Sequence, residues 1–289
     1  MSLKYFRVGP DGDRLAVSDG DGAYDLTAAN SNLTSFTDLA DAAAITGGDP
    51  DDIAESYLGE AEPVEASRLT ENAALPVVPE EVWGAGVTYS ISEAAREEES
   101  TMPEMYMDVY DAERPEIFFK ATPSRLVAPG EPVGIRGDSD WNVPEPELGL
   151  VLRHGEIVGV TAGNDMSSRA IEGENPLYLP QAKVYQRCCT LGPCVVSWDE
   201  IDPADLEIRM EIERDGETVF DDTTNTGEMK RSCEELVDYY VKHNTVPKWS
   251  VLLTGTSLVP PDSFTLQADD DIRIHVDDVG TLGNPVTTV

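Results

Sequence analysis

The chain has 289 residues, 40% hydrophobic, which is enough to bury one sizeable core, or a core with a small appendage, and excludes a disordered chain. Its 56 acids against 20 bases give a formal net charge of −36, a field that repels nucleic acid and anionic membranes. Cys188, Cys189, Cys194 and Cys233 show neither secretory pairing nor C-x-x-C spacing, so neither a disulfide framework nor a zinc site is supported and they read as core thiols.

From the N-terminus, "YFRVGPDGDRLAVSDGDGAYDLT" breaks short apolar pieces with P-D-G and D-G-D-G, the punctuation of hairpins. "SFTDLADAAAI" then reads as a short helix. Acids, Gly and Ala dominate from about residue 49 to 72 before "ALPVVPEEVWGAGVTY" opens a richer apolar pattern. This places a boundary near residue 75, with a small N-terminal domain over 1–75 and a larger domain over 76–289. In the larger part "EIFFKA", "ELGLVLR", "EIVGVTAG", "CVVSW", "LEIRMEIERDGETVF", "SVLLTG" and "DDIRIHV" predict strands by β-branched content and alternation. The clearest helix is "SCEELVDYYVKHN", where Ser232 and Glu235 form a capping box and Leu236, Val237, Tyr240 and Val241 one apolar stripe. The distribution argues for a mostly β, largely antiparallel α+β structure with few helices. No apolar run reaches the roughly 20 residues of a membrane span and no signal-peptide core is visible, so a cytoplasmic protein is expected. The acids are scattered singly or in short runs such as "GDPDD", and only six of the bases are lysine. That pattern reads as the salt-screened surface of a halophile rather than as a tail for a basic partner.

Three acids fall inside strand-like sequence in "PEPELGLVLRHGEIVGVTAGNDMSSR". Glu145 and Glu147, two apart, project to one face. If "RHGE" is a tight turn, counting back sets Glu147 opposite Ala162 and Glu145 opposite Asn164, with Asp165 at the same end. Carboxylates this close repel, and a hard divalent cation with oxygen ligands removes that cost. An acid-rich chain also places acids in strands by chance, and Pro146 suggests a solvated strand start, so spacing alone leaves both readings open.

The segment "PEPELGLVLRHGEIVGVTAGNDMSSRAIEGENPLYLPQAKVY" resembles the core motif of the fumarylacetoacetate hydrolase family: E-x-E, G-N-D-x-S-x-R and a following lysine. "FFKATPSRLVAPGEPV", "TLGPCVV" and "VLLTGTSLVPP" match in family order, so the resemblance covers roughly residues 80 to 289. It implies a mixed β-sandwich roll preceded by a small N-terminal domain. It also implies Glu145, Glu147 and Asp165 as ligands of Mg²⁺, with Mn²⁺ or Ca²⁺ as alternatives.

The family contains hydrolases, decarboxylases, isomerases and dehydratases, so departures from its pattern carry the reaction type. Where its hydrolases keep a histidine and a glutamate for water activation, this chain has Ser92 and Ala95. His154, His243 and His275 fall at a turn, after a helix and in a late strand. Glu116 occupies a usually apolar position and shares a strand face with Phe118 and Lys120, which leaves either an exposed ion pair or a catalytic acid. Glu172 stands where the hydrolases often have glutamine. These features are most similar to the 2-keto-3-deoxy-pentonate dehydratase branch, which implies dehydration of a small 2-keto acid to 2-oxoglutarate semialdehyde in the oxidative degradation of xylose or arabinose. By the resemblance Lys183 and Glu116 transfer protons, Ser92, Arg169 and Thr256 contact substrate, Ser92 with Glu93 on a lid, and Ser167 and Ser168 hold a turn. The alternatives are an acylpyruvate-type hydrolase or a 2-oxo acid decarboxylase. A calcium-binding protein is disfavoured because "DGDRLAVSDGDG" lacks EF-hand spacing. A homodimer or homotetramer is expected.

Overall fold

The computed structural model describes residues 2–71, 73–89 and 108–289. The D-G punctuation makes the expected hairpins: β1 (Lys4–Val8) pairs with β2 (Arg14–Ser18), and β2 with β3 (Ala23–Asp25). The turn between β2 and β3 closes through the Asp19 carboxylate, which accepts from Gly22 N at 2.8 Å. The helix Phe36–Thr46 starts on a Ser35/Asp38 capping box. A second helix, Pro50–Leu58, lies in the stretch that composition alone left unassigned; Asp49 caps it and Pro50 opens its first turn, a pre-set φ where no N–H is needed.

After the short β4 (Glu62–Pro63) come β5 (Glu81–Gly86), β6 (Glu116–Ala121), β7 (Leu126–Val127), β8 (Val133–Ile135), β9 (Asn142–Val143), β10 (Pro146–Arg153), β11 (Glu156–Asp165) and β12 (Ser167–Ser168). β13 (Cys189–Ser197), the hairpin β14 (Glu207–Arg214) and β15 (Glu217–Asn225), β16 (Trp249–Leu253), β17 (Asp271–Val276) and β18 (Gly280–Thr288) complete the set. One large sheet runs β4-β3-β2-β1-β13-β11-β10-β16-β5-β6, with β7 also on β13. A five-stranded sheet, β15-β14-β17-β18-β8, packs through β14, β17 and β18 against β10, β11 and β13. The result is mostly β and mostly antiparallel, as the pattern predicts. β1 pairs with β13, so the N-terminal hairpins and the later strands share one sheet. All four cysteines are free and buried.

The centre of the large sheet is covered on both faces. Leu148, Leu150, Val151 and Leu152 of β10 are fully buried, each worth about 1.5–3 kcal/mol of transfer free energy. That double burial is why these strands read as continuous apolar runs. On one side Phe36 packs on Tyr5, with ring centroids 5.2 Å apart.

The helix Cys233–Val241 forms as expected, with Leu236, Val237 and Tyr240 buried. Its capping box is only half made. Ser232 accepts from Glu235 N at 3.2 Å, while the Glu235 carboxylate turns to Arg231 at 2.5 Å. β18, "GTLGNPVTT", carries no strand signal in the sequence because Gly283 and Pro285 hide its alternation.

The β10–β11 hairpin departs from simple counting in one functional detail. Arg153 faces Glu156 as expected, but Leu152 pairs with Ile157 and Val151 with Gly159, leaving Val158 as an extra bulged residue. Beyond the bulge Glu147 stands opposite Gly163, not Ala162, and Pro146 rather than Glu145 opposes Asn164. A one-residue shift exchanges the faces of a strand. In the counted register Asp165 would point away from the two glutamates; the bulge brings all three to one side.

Candidate active site

Glu145, Glu147 and Asp165 each place a carboxylate oxygen within 4.8 Å of the others, and all three are buried. The end of the hairpin fixes them: Asp165 N donates to Glu145 O at 2.9 Å. Burial raises the Glu147 carboxyl well above its ordinary range, with Asp165 and Glu145 adding repulsion. Burial likewise raises Glu145, against the pull of Lys183. The Asp165 oxygens have no well-aligned hydrogen-bond donor. Three crowded oxygen donors, two held uncomfortably as anions and one lacking hydrogen bonds, fit a hard divalent cation. Pro146 does begin a strand, but it is buried, so easy solvation does not relieve the charges.

Cationic groups surround the triad. Lys183, at the end of the helix Leu179–Lys183, donates to Glu145 Oε2 at 2.6 Å and Ser167 Oγ at 2.8 Å, and lies 3.3 Å from Asp165 Oδ2. Burial opposes its charge, but Asp165, Glu145 and Glu172 outweigh that, and its pKa is raised well above the ordinary value. Its Nζ also sits 5.5 Å from the centre of the Phe118 ring. Arg169 stands 3.9 Å from Glu145 and 3.5 Å from Glu172, with its guanidinium 5.8 Å from the Trp141 ring. Ser168 caps the helix Arg169–Glu174 by accepting from Ile171 N, as a turn-holding residue would. Ser167 does more: besides accepting from Lys183 it donates to Asp165 O at 2.9 Å.

Glu116 begins β6 opposite Gly86, and its carboxylate lies so close over that residue that an added Cβ would come within 2.1 Å of it. Glycine there leaves the room. Burial pushes the Glu116 carboxyl up to about 7, with Glu172 reinforcing the shift and Lys183 opposing it. Glu116 and Glu172 line a cleft of about 280 Å³ whose other walls include Val87, Pro115, Pro176 and Leu179. Of the two readings of that strand face, the exposed Glu116–Lys120 ion pair does not form: Lys120 is fully buried and forms an ion pair with Asp165 instead.

Thr256 turns its hydroxyl to its own loop, accepting from Leu258 N at 3.0 Å, while the preceding residue reaches the triad: Gly255 N donates to Glu147 Oε2 at 2.5 Å. Gly255 has φ +83°, and a Cβ there would meet Thr88 Oγ1 at 2.3 Å. Ser92, Glu93 and Ala95 lie outside the described residues. None of the histidines is at the site: His154 is in the β10–β11 turn, His243 follows the helix Cys233–Val241, and His275 on β17 meets Thr281. The structure thus brings together Glu145, Glu147, Asp165, Lys183, Arg169 and Glu116 and sets Thr256 beside them. Sequence reasoning missed Lys120, Gly255 and the Lys183 contact of Ser167. For Lys120 the available signal was a lone lysine in the apolar run "EIFFKA".

Residues 81–287 match the fumarylacetoacetate (FAA) hydrolase C-terminal family. The chain belongs to this family. A relative from Haloferax volcanii, named probable 2-keto-3-deoxyxylonate dehydratase, is 58% identical over 289 residues, covering 99% of this chain and 100% of the relative. A 2-dehydro-3-deoxy-D-arabinonate dehydratase of Saccharolobus solfataricus is 44% identical over 217 residues, 73% of either chain. A solved structure of 2-keto-3-deoxy-D-arabinonate dehydratase complexed with magnesium and 2,5-dioxopentanoate superposes with a TM-score of 0.80 at 34% identity, covering 100% of this chain and 99% of that one. Among the described residues no helix is long and apolar enough to cross a membrane.

Proposed function

We propose that this chain is a Mg²⁺-dependent hydro-lyase that dehydrates a 2-keto-3-deoxy-pentonate to 2-oxoglutarate semialdehyde, a step in oxidative pentose degradation. The observation that carries the reading is the buried carboxylate triad with Lys183 and Glu116 at its side, in a chain whose histidines all lie elsewhere. The names of the relatives support it, and the 2,5-dioxopentanoate of the solved structure is that semialdehyde.

A divalent cation held by Glu145, Glu147 and Asp165 would polarise the 2-keto group and so acidify C3. Lys183 and Glu116 move the protons: one takes the C3 proton, and the other supplies a proton to the C4 hydroxyl, which departs as water. The new C3=C4 double bond becomes the aldehyde when a proton passes from C5 to C3 and the C4=C5 enol tautomerises. A carboxyl that titrates near neutrality suits this task, because it can both accept and return a proton. Arg169, beside Glu145, and Thr256, next to the Gly255 that holds Glu147, contact the substrate or order the site around it.

The reading includes a cytoplasmic, salt-adapted protein, for which the −36 charge is the support, and a homodimer or homotetramer, for which Ile45 and Leu177, each 84% exposed, offer apolar contact. It also keeps residues 1–75 as a small N-terminal domain. The test offers a 2-keto-3-deoxy-pentonate and a panel of acylpyruvates with Mg²⁺ in molar KCl. The expected product is the semialdehyde with no carbon–carbon cleavage, and EDTA, Glu145→Ala, Glu147→Ala and Asp165→Ala should each abolish it. Faster release of pyruvate from an acylpyruvate would establish the hydrolase alternative instead, and full activity in chelated protein would remove the metal from the mechanism.

A further inference from the structure

Lys120 has no exposed surface, and its ammonium group has three donors to place. One goes to Met166 O at 2.8 Å and one to Lys183 O at 2.5 Å; the remaining side of the group forms the ion pair with Asp165 Oδ1. Met166 directly follows Asp165, and Lys183 ends its helix, where the last carbonyls have no partner within the helix. The strand is shaped for this placement. In β6 Val82 pairs with Ala121 and Trp83 with Phe119, so Lys120 opposes no residue and occupies a bulge, a device that re-aims a side chain. An apolar side chain would fill the same space without burying a charge, so the cost of the ammonium group has to be met by what it connects.

We infer that Lys120 is a positioning residue: its ammonium group ties the Asp165 carboxylate to the backbone that carries Lys183, and so sets the separation between the cation-holding oxygens and the amine that transfers protons. The inference rests on the triad and Lys183 reading proposed above. Lys120 has no exposed surface and spends its ammonium group on Met166 O, Lys183 O and Asp165, so it acts on the reaction through the residues it holds. A displacement of about 1 Å in a reacting group is enough to cost about 10²-fold in rate.

The experiment compares Lys120→Met and Lys120→Arg with wild type in molar KCl, reading Mn²⁺ affinity by calorimetry, near-ultraviolet circular dichroism, and kcat and KM at saturating Mn²⁺. Glu147→Ala is the control, because Glu147 shares no hydrogen bond or ion pair with Lys120, whose ammonium group meets Met166 O, Lys183 O and Asp165. Folded Lys120→Met should bind Mn²⁺ at least about tenfold more weakly and lose about 10²-fold in kcat, with KM within about threefold of wild type. Lys120→Arg keeps the charge but donates from a planar fork. It should return Mn²⁺ affinity to within about threefold of wild type while kcat stays at least about tenfold low. Wild-type kcat in Lys120→Arg, or wild-type Mn²⁺ affinity and kcat in Lys120→Met, would overturn the inference. Failure of both variants to fold would also overturn it, leaving Lys120 a stability residue only. If wild type binds no Mn²⁺, or Glu147→Ala binds it undiminished, the triad reading is what fails.

Discussion

Replacing Glu116 with glutamine should slow the enzyme and, in the metal-free protein, stabilise it at alkaline pH. The carboxyl is pushed up to about 7 in the folded chain from an ordinary 4.5, chiefly because its half-buried place in the cleft strips it of water. Between those values the folded protein holds a proton that the unfolded chain has released, so stability must fall as pH rises across the interval. This contribution is complete below about pH 4.5 and gone above about pH 7, and at about 1.4 kcal/mol per tenfold it amounts to about 3 kcal/mol in all, of which about 2–3 fall between pH 5 and 8. Glutamine has no proton to lose. The difference in melting temperature, variant minus wild type, should therefore grow by about 5–10 °C from pH 5 to pH 8, taking about 2–4 °C per kcal/mol for a chain of this size. Other titrating groups act on both proteins and largely cancel. The assay is thermal unfolding of EDTA-treated protein in molar KCl at the two pH values, alongside kcat with Mg²⁺ restored, which should fall about 10²–10⁴-fold for a lost proton-transfer group. Parallel melting curves across pH would refute the raised carboxyl, and a kcat within about threefold of wild type would refute its role.

Two further outcomes are expected. Because 56 acids face 20 bases, stability should rise with KCl from about 0.1 to 2 M, as the Debye length falls from about 10 Å to under 3 Å; a melting temperature flat over that range would contradict a salt-screened surface. Gly255→Ala should weaken Mg²⁺ binding about tenfold or more and lower activity with it, since its Cβ would collide with Thr88 Oγ1 and Ala85 O and displace the N–H that holds Glu147. Unchanged Mg²⁺ affinity by calorimetry would show that the Gly255 contact does not hold the ligand.

The sequence exposed the strands because the large sheet is buried on both faces and therefore reads as apolar runs. It exposed the triad because E-x-E and G-N-D are short and local. What it hid depends on irregularities that alternation does not encode. Val158 looks like any other residue of β11, yet its bulge determines which face Asp165 takes. Regular alternation in β6 would set Lys120 on the face of Glu116, but the bulge re-aims it, and its three partners come from β11, from the loop after it and from the helix Leu179–Lys183. The helix Pro50–Leu58 was obscured by its acids, four of its nine residues being polar or charged at the surface or in the cap turn, although Asp49–Pro50 signals its start.

The arrangement also resolves how so acidic a chain can hold an anionic substrate. The surface field repels a keto acid, and salt must screen it. The buried site obeys separate arithmetic. Glu145, Glu147 and Asp165 against Lys120 and Lys183 leave one unbalanced negative charge in a low-dielectric interior, which disfavours both the ionised carboxylates and any incoming carboxylate. With a divalent cation in the triad the same groups sum to one positive charge. Arg169 adds nothing to that sum while Glu172 is at its side, and Glu116 adds nothing while it keeps its proton. The two lysines therefore suit a site that is to be positive when filled, since the triad and a divalent cation alone would sum to one negative charge.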